Sequence, residues 1–432
     1  MMGPAINSLD TPGGAAPSAK ARHLRVLLFS TLFPSSARPG HGLFVQTRLQ
    51  QLVASGEVDA RVVAPVPWFP FTHPRFGDWA RLACTPRHES WQGLDVFHPR
   101  YALPPKVGQT LAPFVLAAGA LPALRRALSE GFDFDVIDAH YYYPDGVAAA
   151  CLGRWLRKPV VITARGSDLN VLGNDAAARA MMRWAAGRAA ASVGVSRALT
   201  DILERWGVPR SRLHVIRNGV DLQRFQPVDS APARAGLGLN GSPLILSVGN
   251  LVPVKGHELT IDAVAAVAGR LPGVRLVIVG RGSSRDELEA RARAKGVTDR
   301  VYFAGPVANE HLAPWYSAAD MSVLASRSEG WANVLLESMA CGTPVIATDV
   351  GGSAEVIGAG QAGILMARRD VGAMCRAIEQ LHHSPLDRGQ VRRYAERFSW
   401  DASTAAQLKL FRRVSGPGGE CAGSAPAPGQ RH

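Results

Sequence analysis

Two carboxylates eight positions apart, Glu329 and Glu337, lie within the stretch Ser326–Gly352, SRSEGWANVLLESMACGTPVIATDVGG. The stretch reads as a polar loop, a short helix over 332–340, a Gly-Thr-Pro turn and a buried strand ending at Gly351-Gly352. Ser328 and the Glu329 carboxylate stand where a helix N-cap is expected. The first N–H groups of a helix have no partner inside it. Trp331, Ala332, Asn333 and Val334 therefore offer donors at the positive end of the helix dipole, which is an anion site of the kind phosphates use. At a rise of about 1.5 Å per residue the two carboxylates are on the order of 12 Å apart. That is too far for an acid/base pair acting on one bond. It suits two groups gripping hydroxyls at the ends of an extended ligand, with a diphosphate on the amides between them. The spacing alone also fits an ordinary βα unit whose acids are caps or surface charges.

The other candidate groups fall at the ends of predicted buried strands, where functional side chains of open α/β sheets collect. LRVLLFS (24–30) is followed by a loop with Gly40 and Gly42 and a helix from about Leu43, the opening of an α/β nucleotide fold. The glycine spacing is not the dinucleotide fingerprint, which counts against an oxidoreductase. FDVIDAHYYYPDG (134–146) delivers His140 at a strand end. PVVITARGSDLN (159–170) ends at Arg165 and Asp168, where Arg165 suits a phosphate or acidic acceptor, or else an internal ion pair with Asp168. LILSVG (244–249) leads to Lys255 just before a helix, a good place for a diphosphate ligand. In VRLVIVGRGSSRDEL (274–288), Gly280 and Gly282 permit close backbone approach, with Arg281 or Arg285 beside a nucleotide. A third glycine at fingerprint spacing is lacking.

The 432 residues suffice for two domains, and 47% hydrophobic with 19% charged residues fits well-filled cores. A net charge of +13 favours acidic partners. There is no zinc-ligand spacing, helix-turn-helix signature or long Lys/Arg run, so nucleic acid ranks last. Five scattered cysteines argue for a reducing compartment. Met1–Lys20 lacks an apolar core and reads as neither signal peptide nor anchor. The apolar run 111–128 is broken by Pro113, Gly119 and Pro122 and is expected to fall short of a membrane span. The segment 67–105 is a long, irregular insertion. Its aromatics (Trp68, Phe69, Phe71, Phe76, Trp79) face an acceptor or, the favoured reading, form a local core under the loop. A helix over 176–190 carries Arg179, Arg183 and Arg188 beside Met181, Met182 and Trp184, a mix that fits an anionic membrane interface or a core helix equally.

Glu-x7-Glu followed by SMACGTPVIATDVGG closely resembles the retaining, nucleotide-sugar-dependent glycosyltransferases of family 4. Asn218, Gly219, Asp221 and Phe225 in RLHVIRNGVDLQRFQP match that family's hinge segment. The resemblance runs over about 24–413 and is most specific from Ser326 to Gly352. It implies the α/β GT-B fold, two Rossmann-like doubly wound parallel-sheet domains facing across a cleft. The expected boundaries are an acceptor-side domain 23–226, a donor-side domain 227–396, a helix 397–414 crossing back, and disordered tails 1–22 and 415–432. By resemblance Glu329 contacts the transferred sugar, His140 reaches the sugar pocket, Glu337 holds the ribose and Lys255 the diphosphate. The loop at Gly42 covers the donor phosphates and Val307 sits at the nucleobase. Relatives carry Arg where this chain has Asn250, so one of two phosphate-binding cations is missing. The implied reaction is metal-independent, retaining transfer from a nucleoside-diphosphate sugar, with no other cofactor. The expected acceptor is a lipid-linked glycan precursor at the cytoplasmic face of an anionic membrane. The alternatives are a nucleotide-sugar epimerase of the same fold and a non-catalytic nucleotide-sugar-binding protein.

Overall fold

A computed structural model describes residues 23–103, 108–358 and 360–416. Of the tails expected at 1–22 and 415–432, the structure describes only Ser415, which ends the last helix, and Gly416; the rest lies outside the described residues. Apart from the exposed Arg25, Leu24–Phe29 is apolar without alternation because both of its faces are covered, and Val26 to Phe29 are fully buried. It sits near the centre of an eight-stranded sheet. From edge to edge the order is Leu213–Val215, Ala191–Gly194, Val160–Ala164, Val136–His140, Leu24–Phe29, Val58–Val63, Leu94–Phe97 and His88–Trp91. All neighbours are parallel except the last pair, an antiparallel hairpin. Gln92 and Gly93 turn that hairpin with positive φ at both positions, as the type I′ form of a two-residue loop requires.

The insertion at 67–105 is thus partly regular, since it builds the sheet edge. Its rings do pack on one another, with Phe69, Phe71, Phe76 and Trp79 at centroid distances of 5.2 to 5.8 Å. Trp68, Phe71 and Trp79 nevertheless remain exposed, so the cluster caps the surface and is not a covered core.

The second sheet has six parallel strands in the order Val301–Gly305, Arg275–Val279, Leu244–Val248, Met321–Leu324, Val345–Thr348 and Gly363–Met366. Both sheets are therefore doubly wound, as expected. The expectation for 111–128 needs correction. Gly108–Ser129 is one helix running through Pro113 and Pro122, and with a hydropathy of 1.3 over Thr110–Ser129 it is long and apolar enough to span a membrane. Its fully buried Leu116, Ala117, Ala120 and Leu124 join the first domain's core, and tertiary packing outweighs the two lost N–H donors. The last helix, Trp400–Ser415, lies on the first domain, where Leu408, Leu410, Phe411 and Val414 cluster with Leu24, Val26 and Val136. Gly219 permits that crossing, because a Cβ there would stand 2.5 Å from the Trp400 nitrogen.

Candidate functional site

The helix Asn333–Ala340 begins one residue later than expected, and its N-cap is Ala332 with no side-chain cap. Ser328 and Glu329 do not cap it. The Glu329 carboxylate instead accepts from Lys255 Nζ and Ser326 Oγ, each at 2.6 Å, and a cation outbids a backbone amide for it. Both bonds fall on Oε1 and leave Oε2 for a further donor. The Asn333 amide turns back to the Trp331 carbonyl at 3.2 Å. Those of Trp331, Ala332 and Val334 make no backbone hydrogen bond among the described residues. Lys255 is delivered by a short turn, Pro253–Lys255. The next residue must be glycine: Gly256 has φ 73° and a Cβ would meet the Ala325 carbonyl oxygen at 2.0 Å.

At the far end Glu337 has different company. Tyr316 Oη donates to Oε2 at 2.9 Å and Asn309 Nδ2 to Oε1 at 3.4 Å. Burial pushes the carboxyl up, with these two bonds opposing. Asn309 is itself held by Arg224 NH1 at 2.9 Å.

The first domain brings its strand-end residues to the same place. His140 is wholly buried, with Nε2 on Asp138 Oδ2 at 3.0 Å and Nδ1 accepting from Arg165 Nε at 3.2 Å and from its NH2. Burial lowers the imidazole to about 4, Asp138 opposing and Arg165 assisting. His140 has no exposed surface, whereas its donor Arg165 is half-buried. Arg165 forms no ion pair with Asp168. Its NH1 donates to Asn218 Oδ1 at 3.0 Å, while the Asp168 carboxylate accepts the backbone amides of Arg165, Gly166 and Tyr142. Burial pushes Asp168 up, and those amides hold it back.

The two domains touch here. A Cβ on Gly330 would lie 1.9 Å from the Arg165 carbonyl oxygen. Asn170 Nδ2 reaches Ser328 Oγ at 3.2 Å, Asn218 Nδ2 reaches Asn333 Oδ1 at 3.3 Å, and Trp331 Nε1 donates to the Asn218 carbonyl at 3.1 Å.

The remaining candidates lie on other strand-end loops. Gly42 has φ 70° and closes the 30–42 loop against Leu32. That loop is pinned by Thr31 Oγ1 on Asp145 Oδ2 at 3.0 Å. Gly280 lies against the Gly249 carbonyl, and Leu251 N donates to Arg281 O at 3.0 Å, so two strand-end loops pack together. The side chains of Asn250 and Arg281 are exposed. The Asn250 carbonyl accepts from His257 Nε2 at 3.2 Å. Arg285 instead pairs with Glu289 at 2.8 Å. Val307 is half-buried against the core.

Sequence reasoning passed over Asp138, Tyr316, Asn309, Ser326 and Asp145. Asp138 was within reach, standing two residues before His140 on the same strand face. Tyr316 and Asn309 come from a different strand–helix unit, and no local pattern marks them.

Among known proteins, a family model described as glycosyl transferases group 1 matches residues 230–398, and one described as glycosyltransferase family 4 matches 83–224. The chain is 33% identical over 326 residues to a D-inositol 3-phosphate glycosyltransferase of Acidothermus cellulolyticus, covering 69% of this chain and 72% of that protein. Sucrose-phosphate synthase from Thermosynechococcus elongatus superposes with a TM-score of 0.72 at 22% identity, covering 91% of this chain and 99% of that one. An Anabaena protein solved with UDP and glucose superposes with a TM-score of 0.69 at 20% identity, covering 90% and 100%.

Proposed function

The chain belongs to the family 4 glycosyltransferases of GT-B fold, and from that premise we propose that it moves a sugar, with retention, from a nucleoside diphosphate to a hydroxyl of a phosphate-bearing acceptor. The observation that carries the proposal is the Lys255–Glu329 pair at 2.6 Å beside the amides that open the Asn333–Ala340 helix. A donor diphosphate would take Lys255 Nζ and the amides of residues 331–334. Glu329, released from its cation, would then accept a hydroxyl of the transferred sugar. Glu337 would grip the ribose at the other end, in line with its neutral donors Tyr316 and Asn309.

The acceptor oxygen would attack the anomeric carbon on the face from which the diphosphate departs. The carbon–phosphate-oxygen bond breaks as the new glycosidic bond forms, and the departing oxygen takes the acceptor's proton. Lys255 and the helix amides stabilise the charge that develops on the diphosphate. Arg165, which has no ion-pair partner among the described residues, suits an anionic acceptor group. The name of the Acidothermus relative and the ligands of the Anabaena structure make inositol phosphates and UDP-sugars the first compounds to try. A lipid-linked phosphate acceptor at a membrane surface is the further expectation.

The test is incubation with a panel of nucleotide sugars, with and without phosphate-bearing acceptors, and mass spectrometry of the products. Transfer to acceptor supports the reading. Epimerised donor without transfer, or binding without turnover, overturns it.

A further inference from the structure

The C-terminal helix Trp400–Ser415 sends one amide into the interior of the first domain, Gln407, and the helix's other inward residues there are apolar. Gln407 Oε1 accepts from Arg48 Nε at 2.6 Å, and Gln407 Nε2 donates to Asp138 Oδ2 at 3.0 Å. Arg48, Gln407, Asp138 and His140 are each no more than 2% exposed. Packing alone would be met by a leucine at 407, and a buried amide is favourable only when its bonds are made.

The same carboxylate oxygen meets His140 Nε2 at 3.0 Å, and an ionised carboxylate only accepts. The imidazole therefore carries its proton on Nε2. Arg165 is compatible with the same tautomer from the other side, since its guanidinium donates to an Nδ1 that carries no proton. Two polar atoms of the cluster have no partner, Arg48 NH2 and Asp138 Oδ1. Arg48 and Asp138 carry opposite charges in a buried site, yet they do not pair directly. Gln407 stands between them. Among the described residues Gln407 Nε2 is the one other donor on the carboxylate oxygen that His140 uses, while Arg48 is held further by NH1 on the Ile216 carbonyl at 3.2 Å.

We propose that Gln407 is a positioning residue for the transfer reaction: it holds Asp138 on His140 Nε2 and so keeps the Nδ1 lone pair on Arg165, the more exposed of the two groups. The helix that returns from the second domain thereby sets the state of the acceptor side. The charged groups facing His140 are Asp138 on its own strand, Arg165 from the loop after the neighbouring strand, and Arg48 from the helix Leu43–Ala54. The kinetic consequence rests on the glycosyltransferase reading; the tautomer does not.

The experiment uses the full chain labelled with 15N-imidazole histidine, with His140 assigned by its absence in His140→Gln. Wild type should show one His140 tautomer, protonated on Nε2. Gln407→Leu removes both bonds. Gln407→Glu keeps the acceptor for Arg48 but removes the donor to Asp138, and it serves if the leucine variant does not fold. Both variants should lose the single-tautomer pattern. With the donor found by the panel, kcat should fall about tenfold to a hundredfold, the scale of a misplaced group, while donor KM stays within about twofold. A His140 tautomer unchanged in Gln407→Glu, or a lowered melting temperature with kcat intact, shows a merely structural glutamine and overturns the proposal. If wild type turns over no nucleotide sugar, the functional reading fails, and the nitrogen spectra still decide the role of Gln407.

Discussion

Glu329 and Glu337 belong to one short helix and its leading loop, yet one is paired with a lysine and the other with two neutral donors. In the proposed reaction a carboxylate released by its cation as the diphosphate arrives acts at the reacting sugar. One that grips a remote ribose binds ground and transition states alike. Glu337→Ala should therefore raise donor KM more than it lowers kcat, and Glu329→Ala should mainly lower kcat. Steady-state kinetics with these effects exchanged would reverse the roles. Asp145 makes a separate prediction. Burial pushes its carboxyl up to about 7, against the bonds from Thr31. Between about pH 4 and 7 the folded protein keeps a proton that the unfolded chain has released, so rising pH favours unfolding across that window and has no further effect above it. His140, lowered to about 4, acts oppositely: the unfolded chain takes up its proton first, and stability falls as pH drops below 6.5. Only a comparison isolates Asp145. Asp145→Asn keeps an acceptor for the Thr31 amide, and its melting temperature should gain on wild type from pH 4 to 7 and then hold a constant lead. A difference independent of pH would mean that Asp145 is ionised throughout.

At the scale of elements, the helix Arg197–Arg205 receives no cap from its own N-cap residue, Ser196, whose hydroxyl is buried without a partner. The cap comes from the second domain, where Glu355 Oε1 accepts the amides of Arg197 at 2.7 Å and Ala198 at 3.3 Å and Arg217 holds Oε2. A carboxylate at a helix N-terminus is well placed against the dipole. Glu355→Ala should cost about 1 kcal/mol, the usual price of a lost cap, and Glu355→Gln, which can still accept, should recover part of it. Urea denaturation of the three proteins reads this directly, and equal midpoints would show that the contact contributes nothing. That cap was invisible in the sequence because it joins residues 158 positions apart. The strands, by contrast, were legible: apolar runs such as Leu24–Phe29 and Val160–Ala164 are buried on both faces and announce a parallel sheet. Glu329 and Lys255 stand 74 positions apart, singled out separately in the sequence, and the structure brings them together at 2.6 Å. What the sequence misjudged was decided by tertiary contact. Lys255 drew Glu329 away from capping, and core packing carried a helix through Pro113 and Pro122.

For the whole molecule, the open question is the surface that a lipid-linked acceptor would present. The helix Ala176–Arg188 turns one face into the core and keeps Arg183 and Arg188 exposed. Its Met182 and Ala185 are buried, Arg179 donates to the Gly173 carbonyl at 3.1 Å, and Arg188 stacks on Trp184 at 4.3 Å. Exposed rings lie instead at Trp68, Phe71 and Trp79, with the Arg75 guanidinium over Phe76 at 4.7 Å. Asp78 in this patch is neutralised by Arg81. Aromatic rings beside arginine suit the headgroup boundary of an anionic bilayer, where each Arg contributes about 1 kcal/mol and salt screens it. With a net charge of +13 the protein should float with anionic vesicles at low salt and be released at high salt. Trp68→Ser combined with Trp79→Ser should weaken flotation at low salt, because it removes apolar contact while leaving the charge unchanged. Arg179→Glu with Arg183→Glu should have the smaller effect. If the arginine pair abolishes binding and the tryptophan pair leaves it intact, the helix is the interface after all. If anionic vesicles are ignored even at low salt, the acceptor is soluble, and the aromatic patch faces something other than a membrane.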